Sequence, residues 1–439
     1  MGVSPIPGLT AHPEHRLGEA VLTADSTPVS HGPTKSGDRT SPGWSPWRTV
    51  IGFGVVSLAA DMVYEGARSV YGPLLASLGA SALIVGLITG AGEAAALVLR
   101  LVSGPLADRT RRYWTLTIVG YALTAVCVPL LALTPRLGAA GLVLAGVLIV
   151  AERLGKAVRS PAKSALLADA ASAVGMGRGM GVHKALDQVG AFAGPLLLAA
   201  LAATAGGLLW PGLAALAVPG ALAMVMLVVI RRRTEPVRPP GAVDGHRAER
   251  GNFAPRTRLP ASFVWFAVAC ALCTAGLMTF GLIGFHLAQT DVVPAAGVPL
   301  LYAVAMAAAA AAALATGVAY DRIGARVLLV LPVLVAVVPP LAFTTGLAMA
   351  AAGVVVWGAA LGVQDSTVKA FVADLVPRQR RATAYGVFAA VQGAGALVGG
   401  VTAGTLYESS LTWLLVAVAA AQAVAMLILV PVLTRPRAR

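Results

Sequence analysis

The chain has 439 residues, 57% of them hydrophobic and only 12% charged, where ordinary soluble domains carry roughly 25% charged residues. Mean hydropathy is +0.80, which excludes an ordinary soluble domain. A net charge of +14 would point to nucleic acid on a soluble chain. Here the positive residues fall between apolar runs, where they set topology and meet anionic lipid, so no nucleic-acid partner is expected.

Residues 1–46 are rich in Pro, Ser, Gly, His and Thr and hold no continuous apolar stretch. They lack the apolar region of a signal peptide and read as a disordered cytoplasmic tail. His12, His15 and His31 are too scattered for a metal site, and Ile6 occupies the position where myristoylation wants Ser or Thr. Twelve apolar runs follow, each near the ~20 residues that cross ~30 Å of hydrocarbon. They predict helices near 48–77, 82–102, 113–133, 139–159, 181–204 and 210–230, then 261–287, 297–319, 326–346, 348–371, 383–406 and 411–433. A basic linker over 231–260 divides them into a six-helix bundle at 47–230 and another at 261–433, with a short tail at 434–439.

One set of connections carries the arginine: Arg109, Arg111 and Arg112, then Lys163 and Arg178, Arg231 to Arg258, Arg322 and Arg326, Arg378, Arg380 and Arg381, and Arg435, Arg437 and Arg439. The opposite set offers little beyond Arg136, Asp291 and Glu408. The positive-inside rule therefore puts both termini and the linker in the cytoplasm of a plasma-membrane protein. Cys127, Cys270 and Cys273 lie in apolar runs and read as small packing residues.

Charges within the spans are the functional candidates, since each costs at least ~2.5–3.5 kcal/mol at mid-bilayer and turns toward a bundle interior or a wet cavity. In helix 1, Asp61, Glu65 and Arg68 fall at i, i+4 and i+7 on one face, which Gly72 continues. Glu93 sits mid-span in helix 2. Asp61, Glu65 and Glu93 are the candidates for proton uptake and release; the alternative is an internal salt-bridge set such as Glu65 with Arg68. Helix 4 supplies Glu152, Arg153, Lys156 and Arg159, for which the alternative is a Glu152–Lys156 pair with Arg159 reaching to water. Helix 5 opens with His183, Lys184 and Asp187, and Asp187 is expected to meet Arg153 or Lys156, while His183 reads as interfacial. The second half is drier: Asp365 and Lys369 form an i, i+4 pair, His286 lies near an outer end, and Trp357, Gln364, Tyr385, Phe388 and Gln392 could line a cavity wall.

The halves resemble each other. A shift of 205 residues lays Asp169 on Asp374, Gly181-Val182 on Gly386-Val387, Gly190-Ala191 on Gly395-Ala396 and Gly194 on Gly399; a shift of 213 lays Gly104, Asp108 and Arg109 on Gly317, Asp321 and Arg322. Two parallel six-helix repeats with a substrate site between them are one transporter design. The stretch Gly104-Pro105-Leu106-Ala107-Asp108-Arg109-Thr110-Arg111-Arg112 resembles the signature loop of the major facilitator superfamily, with Arg111 where glycine is usual. Gly317 to Arg326 resembles its degenerate second copy. The resemblance implies an all-α membrane protein of 12 transmembrane helices in two pseudo-symmetric bundles. In such a loop Gly104, Asp108, Arg109 and Arg112, with Gly317, Asp321 and Arg322, would latch the halves in one state and release them in the other.

Arg153 is similar in position to the arginine of the family's fourth-helix motif Arg-x-x-Gln-Gly, which is associated with proton transfer; Lys156 and Ala157 replace its last two residues. Gly181, Gly190, Gly194 and Pro195 resemble the fifth-helix motif of the family's drug/proton exchangers, whose closing glycines are replaced here by Leu198 and Ala199. Small residues and a proline in this pattern suit a hinge.

No phosphate-binding loop, Gly-x-Ser-x-Gly or His-Glu-x-x-His is present, so neither ATP-driven transport nor an enzyme is expected, and no cofactor or metal. The chain reads as a monomeric secondary transporter resembling bacterial proton-coupled efflux proteins. It would export a small amphipathic solute in exchange for protons, with Arg68, Arg153, Lys156, Asp187, Asp365 and Lys369 as charge partners or cavity wall. The alternatives are a proton symporter importing an anion held by Arg68, Arg153 and Lys156, and a receptor or scaffold that has kept the fold and lost transport.

Overall fold

A computed structural model describes residues 44–234, 259–376 and 381–434, apart from the side chains of Asp108, Lys369, Ala370, Ala373, Asp374, Arg381 and Ala382. The expected N-terminal tail, most of the linker, Arg378, Arg380 and the C-terminal arginines lie outside the described residues.

Twelve spans follow one another. α1 is Pro46–Ser77, α2 Ala82–Thr110, α3 Tyr113–Leu130 continued by a 3-10 turn over Leu131–Arg136, α4 Ala139–Ser172 and α5 Met176–Thr204. α6 joins Trp210–Ala215 to Ala217–Thr234; α7 consists of α7a, Ala261–Leu277, and α7b, Phe280–Gln289. α8 is Gly297–Ile323, and α9 is Val330–Ala342 after a 3-10 segment over Gly324–Leu329. α10 consists of α10a, Leu347–Asp365, and α10b, Thr367–Leu375; α11 is Arg381–Ser409 and α12 Leu411–Thr434. Among the described residues, ten segments are apolar and long enough to cross a membrane; one of them, Gly297–Ala342, contains both α8 and α9. α4 falls outside the ten, because Glu152, Arg153, Lys156 and Arg159 interrupt its apolar run.

Three helices outrun their apolar stretches. α2 continues to Thr110, α4 to Ser172, and α5 begins at Met176. Hydropathy marks the part of a helix that sits in hydrocarbon, whereas the backbone ladder goes on into the polar zone. The motif at Gly104 to Arg109 is thus the last turns of α2, not a loop. Two spans are broken. Met278, with φ 56° and ψ 171°, separates α7a from α7b in a region of backbone space that only glycine occupies readily. The Trp357 indole N–H donates to the freed Met278 carbonyl at 3.4 Å. Ser366 interrupts α10 and donates its hydroxyl to the Gly362 carbonyl at 2.7 Å.

The sequence repeat is a repeat of contacts. A Cβ at Gly190 or Gly194 of α5 would strike the backbone of α1 at Leu58 or Met62, and one at Gly395 or Gly399 of α11 would strike α7a at Ala271 or Ala275. The glycines are related by the 205-residue shift and their partners by the 213-residue shift. Small residues let these helices touch backbone to backbone. Arg111 and Gly324, also 213 apart, both have positive φ, 53° and 70°. The arginine is in the left-handed turn, with ψ 16°, whereas Gly324, with ψ −157°, lies in a region that only glycine occupies readily.

α1 and α7 are the central posts: 72% and 67% of their span windows are buried, against 28% for α12. The end bearing both terminal spans' outer tips is the basic end; the opposite one is the far end. At the far end the two bundles meet closely. Gly86 of α2 packs on Gly400 of α11, and Gly72 of α1 on Gly281 and Phe285 of α7b, in each case against backbone. Glu408 of α11 accepts from the Leu83 backbone N–H at 2.8 Å, covering the first turn of α2. The Thr89 and Thr279 hydroxyls join α2 to α7 at 2.7 Å.

Candidate functional site

The helix-1 stripe faces inward. Asp61, Glu65 and Arg68 share a face because their spacing is helical, and α2, α4 and α5 bring opposite charges against it. Glu93 Oε1 of α2 accepts from Arg68 Nη2 at 3.0 Å and lies 3.1 Å from Arg153 Nη1 of α4. Arg68 Nη1 is 3.7 Å from Glu65 Oε2, and Lys156 Nζ is 4.0 Å from Glu65 Oε1. Arg153 is held further by the Tyr64 hydroxyl, to which it donates, and its guanidinium lies 4.7 Å from the centre of that ring. Lys156 Nζ stands 3.3 Å from the same ring centre, so one tyrosine serves two cations.

Toward the basic end a second group continues from Asp61. Arg159 Nη2 lies 3.9 Å from Asp61 Oδ1 while Nη1 donates to Thr124 at 2.7 Å. Arg159 is buried, so it does not reach to water as one sequence alternative had it. Asp187 accepts from the Ser57 hydroxyl at 2.7 Å and from Lys184 at 2.6 Å. It meets neither Arg153 nor Lys156, which are taken up by Glu93 and Glu65 farther along the bundle; that expected pairing is corrected. The Asp61 and Asp187 carboxyl groups stand close enough for each to act on the other's charge. Two neighbouring carboxyl groups favour holding one proton between them. Lys163 donates to Ser57 at 3.2 Å and lies 3.2 Å from Nε2 of the buried His183. Lys163 thus belongs to the core of α4 rather than to a loop, and His183 to the bundle interior rather than to an interface.

Across the bundle boundary Tyr302 of α8 donates its hydroxyl to Glu65. Its ring packs on Phe280, with Trp357 behind. Among the described residues, the buried polar side chains of the second half carry no fixed charge. Gln364 and Gln392 donate to the Thr274 hydroxyl at 2.6 and 3.4 Å, joining α10a, α11 and α7a. His286 is buried, with Nε2 3.2 Å from the Thr344 carbonyl and Nδ1 2.8 Å from the Tyr407 hydroxyl. A carbonyl only accepts, so Nε2 carries the proton and Nδ1 accepts from Tyr407. Asp365 is exposed on α10a, close enough to Lys184 to act on its charge. The Lys369 side chain lies outside the described residues. Tyr385 is exposed and Phe388 is buried against Phe266.

At the basic end Gly104 lies in the last turns of α2, and Arg109 and Arg112 are exposed beside it. Gly317 lies at the corresponding place on α8, with Asp321 and Arg322 exposed. The Asp108 side chain lies outside the described residues. Gly181 meets nothing within 4 Å, whereas Gly190 and Gly194 are packing contacts on α1. α5 is continuous through Pro195, so the proline interrupts no helix here; the carbonyls it leaves free stay within an unbroken span. A groove of about 670 Å³ between α2 and α4, lined by residues such as Ile84, Leu87, Val143 and Val147, is apolar throughout and stands apart from the charged set.

Tyr64, Tyr302, Ser57 and Lys163 were not singled out as site residues from sequence. Tyr64 could have been, since it neighbours Glu65. Tyr302 could not, since its partner lies in the other half of the chain.

The family model for the Major Facilitator Superfamily matches residues 53–309 and 285–439. The chain belongs to this superfamily. It is 51% identical over 391 residues to an uncharacterised protein of Mycobacterium tuberculosis, covering 89% of this chain and 94% of that one. An uncharacterised MFS-type transporter of Methanocaldococcus jannaschii matches 34% of this chain and 36% of its own length at 27% identity. Among solved structures, the fold is similar to the nucleoside transporter NupG (TM-score 0.66, 13% identity, 88% of this chain and 100% of that one). It is also similar to a bacterial homologue of the lysosomal transporter Spinster in an inward-facing, occupied state (0.61, 16%, 89% and 96%). A bacterial homologue of the iron transporter ferroportin in an inward-facing state scores 0.63 at 14% identity, covering 88% and 99%. This chain is accordingly a multi-pass membrane protein with the fold of a secondary transporter, built to pass a small molecule through the bilayer.

Proposed function

We propose that the protein is a proton-coupled transporter that exports a small amphipathic organic solute across the plasma membrane by alternating access. The observation that carries the proton is the closeness of Asp61 and Asp187: a carboxyl pair between α1 and α5 holds one shared proton and releases it when Arg159, 3.9 Å from Asp61 in this state, or Lys163 moves closer. Glu65 and Glu93 then serve mainly as counter-charges for Arg68, Arg153 and Lys156. The basic end is the cytoplasmic side, by the charge of its loops, and the far-end contacts correspond to a state closed to the outside. Glu65–Tyr302 is a contact between bundles that the access change must break. The repeated Gly-x-x-x-Asp-Arg at Gly104 and Gly317 latches the bundles at the basic end in the opposite state, and α5 rocks on α1 about Gly190 and Gly194. The substrate is amphipathic because one half presents charge and the other Thr, Gln and aromatic surface.

Reconstituted in liposomes carrying an internal pH dye, the protein should move protons when a transported compound is added, and Asp61→Asn should abolish that movement. Whole cells should accumulate more of that compound when a protonophore is present. A fall in accumulation would sink the export direction, and substrate flux without proton movement would sink the coupling.

A further inference from the structure

Glu152 is the acid that this mechanism leaves unused, and its surroundings are unlike those of the others. Its side chain is 0% exposed and neither carboxyl oxygen has a hydrogen-bond partner among the described residues. Its nearest cation atom is Arg153 Nε at 3.8 Å, but the other end of that guanidinium is engaged by Glu93 and Tyr64. By contrast Glu93 has two arginines in direct contact and Glu65 has Tyr302, Arg68 and Lys156.

The groups that face Glu152 come from three helices. α1 presents Tyr71 and Glu65, α3 presents Cys127, and α4 itself presents Arg153, Lys156 and Arg159. Lys156 and Arg159 point to Glu65 and Asp61. The Tyr71 hydroxyl is buried and has no partner either. From α2, Glu93 shares Arg153 with Glu152.

An ionised carboxylate with no water and no hydrogen bond is among the most costly things a protein can bury, and such groups neutralise instead. A neutral carboxylic acid can remain there at far smaller cost. We infer that Glu152 is a second proton-carrying site, and that Arg153 is its switch. While Arg153 bonds Glu93, Glu152 keeps its proton; when Arg153 leaves Glu93 and turns fully to Glu152, the acid ionises and its proton passes to the Glu93 carboxylate that Arg153 has vacated. One O–H bond breaks as another forms, and no other covalent bond changes. This deepens the proton-coupled reading and rests on it for its role in transport, although the protonation of Glu152 can be tested without transport.

The test is infrared spectroscopy of the purified full chain in lipid, following the carbonyl stretch of neutral carboxyl groups from neutral to mildly alkaline pH, with deuterium exchange to identify it. Wild type should show a band at the high-frequency edge that marks an unbonded or weakly bonded acid. Glu152→Gln should lose that band, and Glu152→Asp should move it, with thermal unfolding used to confirm that each variant is folded. Glu93→Gln releases Arg153 and should remove more than half of the band by ionising Glu152. Asp61→Asn should leave it intact, since the Asp61–Asp187 acid is hydrogen-bonded and absorbs lower. A band unchanged in Glu152→Gln, no such band in wild type, or a band indifferent to Glu93→Gln would overturn the proposal. Liposomes that moved no protons while the band behaved as expected would count against the transport reading alone.

Discussion

The two halves of this protein are equal as scaffolds and unequal as chemistry. Gly190 and Gly194 hold α5 to α1 in the same way that Gly395 and Gly399 hold α11 to α7a. Yet the first half gathers Asp61, Glu65, Arg68, Glu93, Glu152, Arg153 and Arg159, buried or half-buried, in a chain of contacts, while the second offers Thr274, Gln364 and Gln392. Backbone packing leaves little freedom for side chains larger than hydrogen, so both halves keep it. Side chains pointing into the shared interior are free to differ. The asymmetry puts interacting charge in one half and neutral polar surface in the other, which is the division of labour that the proposed function uses.

The sharpest way to break that assignment is to remove one charge and one neutral contact and compare them. Arg153→Met strips Glu93 and Tyr64 of a partner and should cost about 3–5 kcal/mol, as loss of one member of a buried ion pair does. Gln364→Leu should cost only about 1 kcal/mol, the value of a neutral hydrogen bond. Unfolding of the two variants in the same detergent checks the contrast, and equal losses would refute the division of labour. Next in size is Tyr302→Phe, which removes the hydrogen bond that ties the halves at Glu65. A bond to a charged group is worth about 1.5–3 kcal/mol, so the far-open population should rise about 10- to 100-fold, read by spin-label distances across the far end. An unmoved distance distribution would show that Glu65–Tyr302 does not hold the closed state.

Smaller effects test the scaffold side. Gly190→Val and Gly395→Val should each cost about 1–3 kcal/mol through overpacking and should agree closely, since each side chain would strike a backbone carbonyl. A large difference would mean that the repeated contacts do not carry equal load. Smallest of all, Arg111→Gly should stabilise the chain by up to about 1 kcal/mol by relieving a left-handed arginine, while Gly324→Arg, at a backbone conformation that only glycine takes readily, should cost more, about 1–3 kcal/mol; thermal unfolding checks both.

Much of this was legible in the sequence, for reasons that differ from residue to residue. The Asp61–Glu65–Arg68 face follows from helical spacing alone, and the doubled Gly-x-x-x-Asp-Arg marked both the family and the repeat. The Arg153–Glu93 contact was not legible, because nothing in one dimension says which of several buried acids a given arginine meets. Lys163 and His183 were misplaced because the apolar run of α4 stops near Arg159 while the helix continues to Ser172. The breaks at Met278 and Ser366 left no Gly or Pro at the site to announce them; tertiary contacts such as the Trp357 bond to the Met278 carbonyl compensate for what local sequence disfavours.

α4 has one more consequence, and it concerns how the chain is made. Each charged residue near the middle of a translocating helix adds about 2.5–3.5 kcal/mol to the free energy of membrane insertion, and α4 presents several within three turns. It is a poor candidate to leave the translocon on its own merits. Its partners, Tyr64, Glu65 and Asp61 on α1 and Glu93 on α2, are synthesised first, so the route into lipid is to dock onto them before release. The order of the ribosome's output and the order of ion pairing are then the same order, and the residues proposed to work the transport cycle also govern whether the nascent protein is accepted by the bilayer.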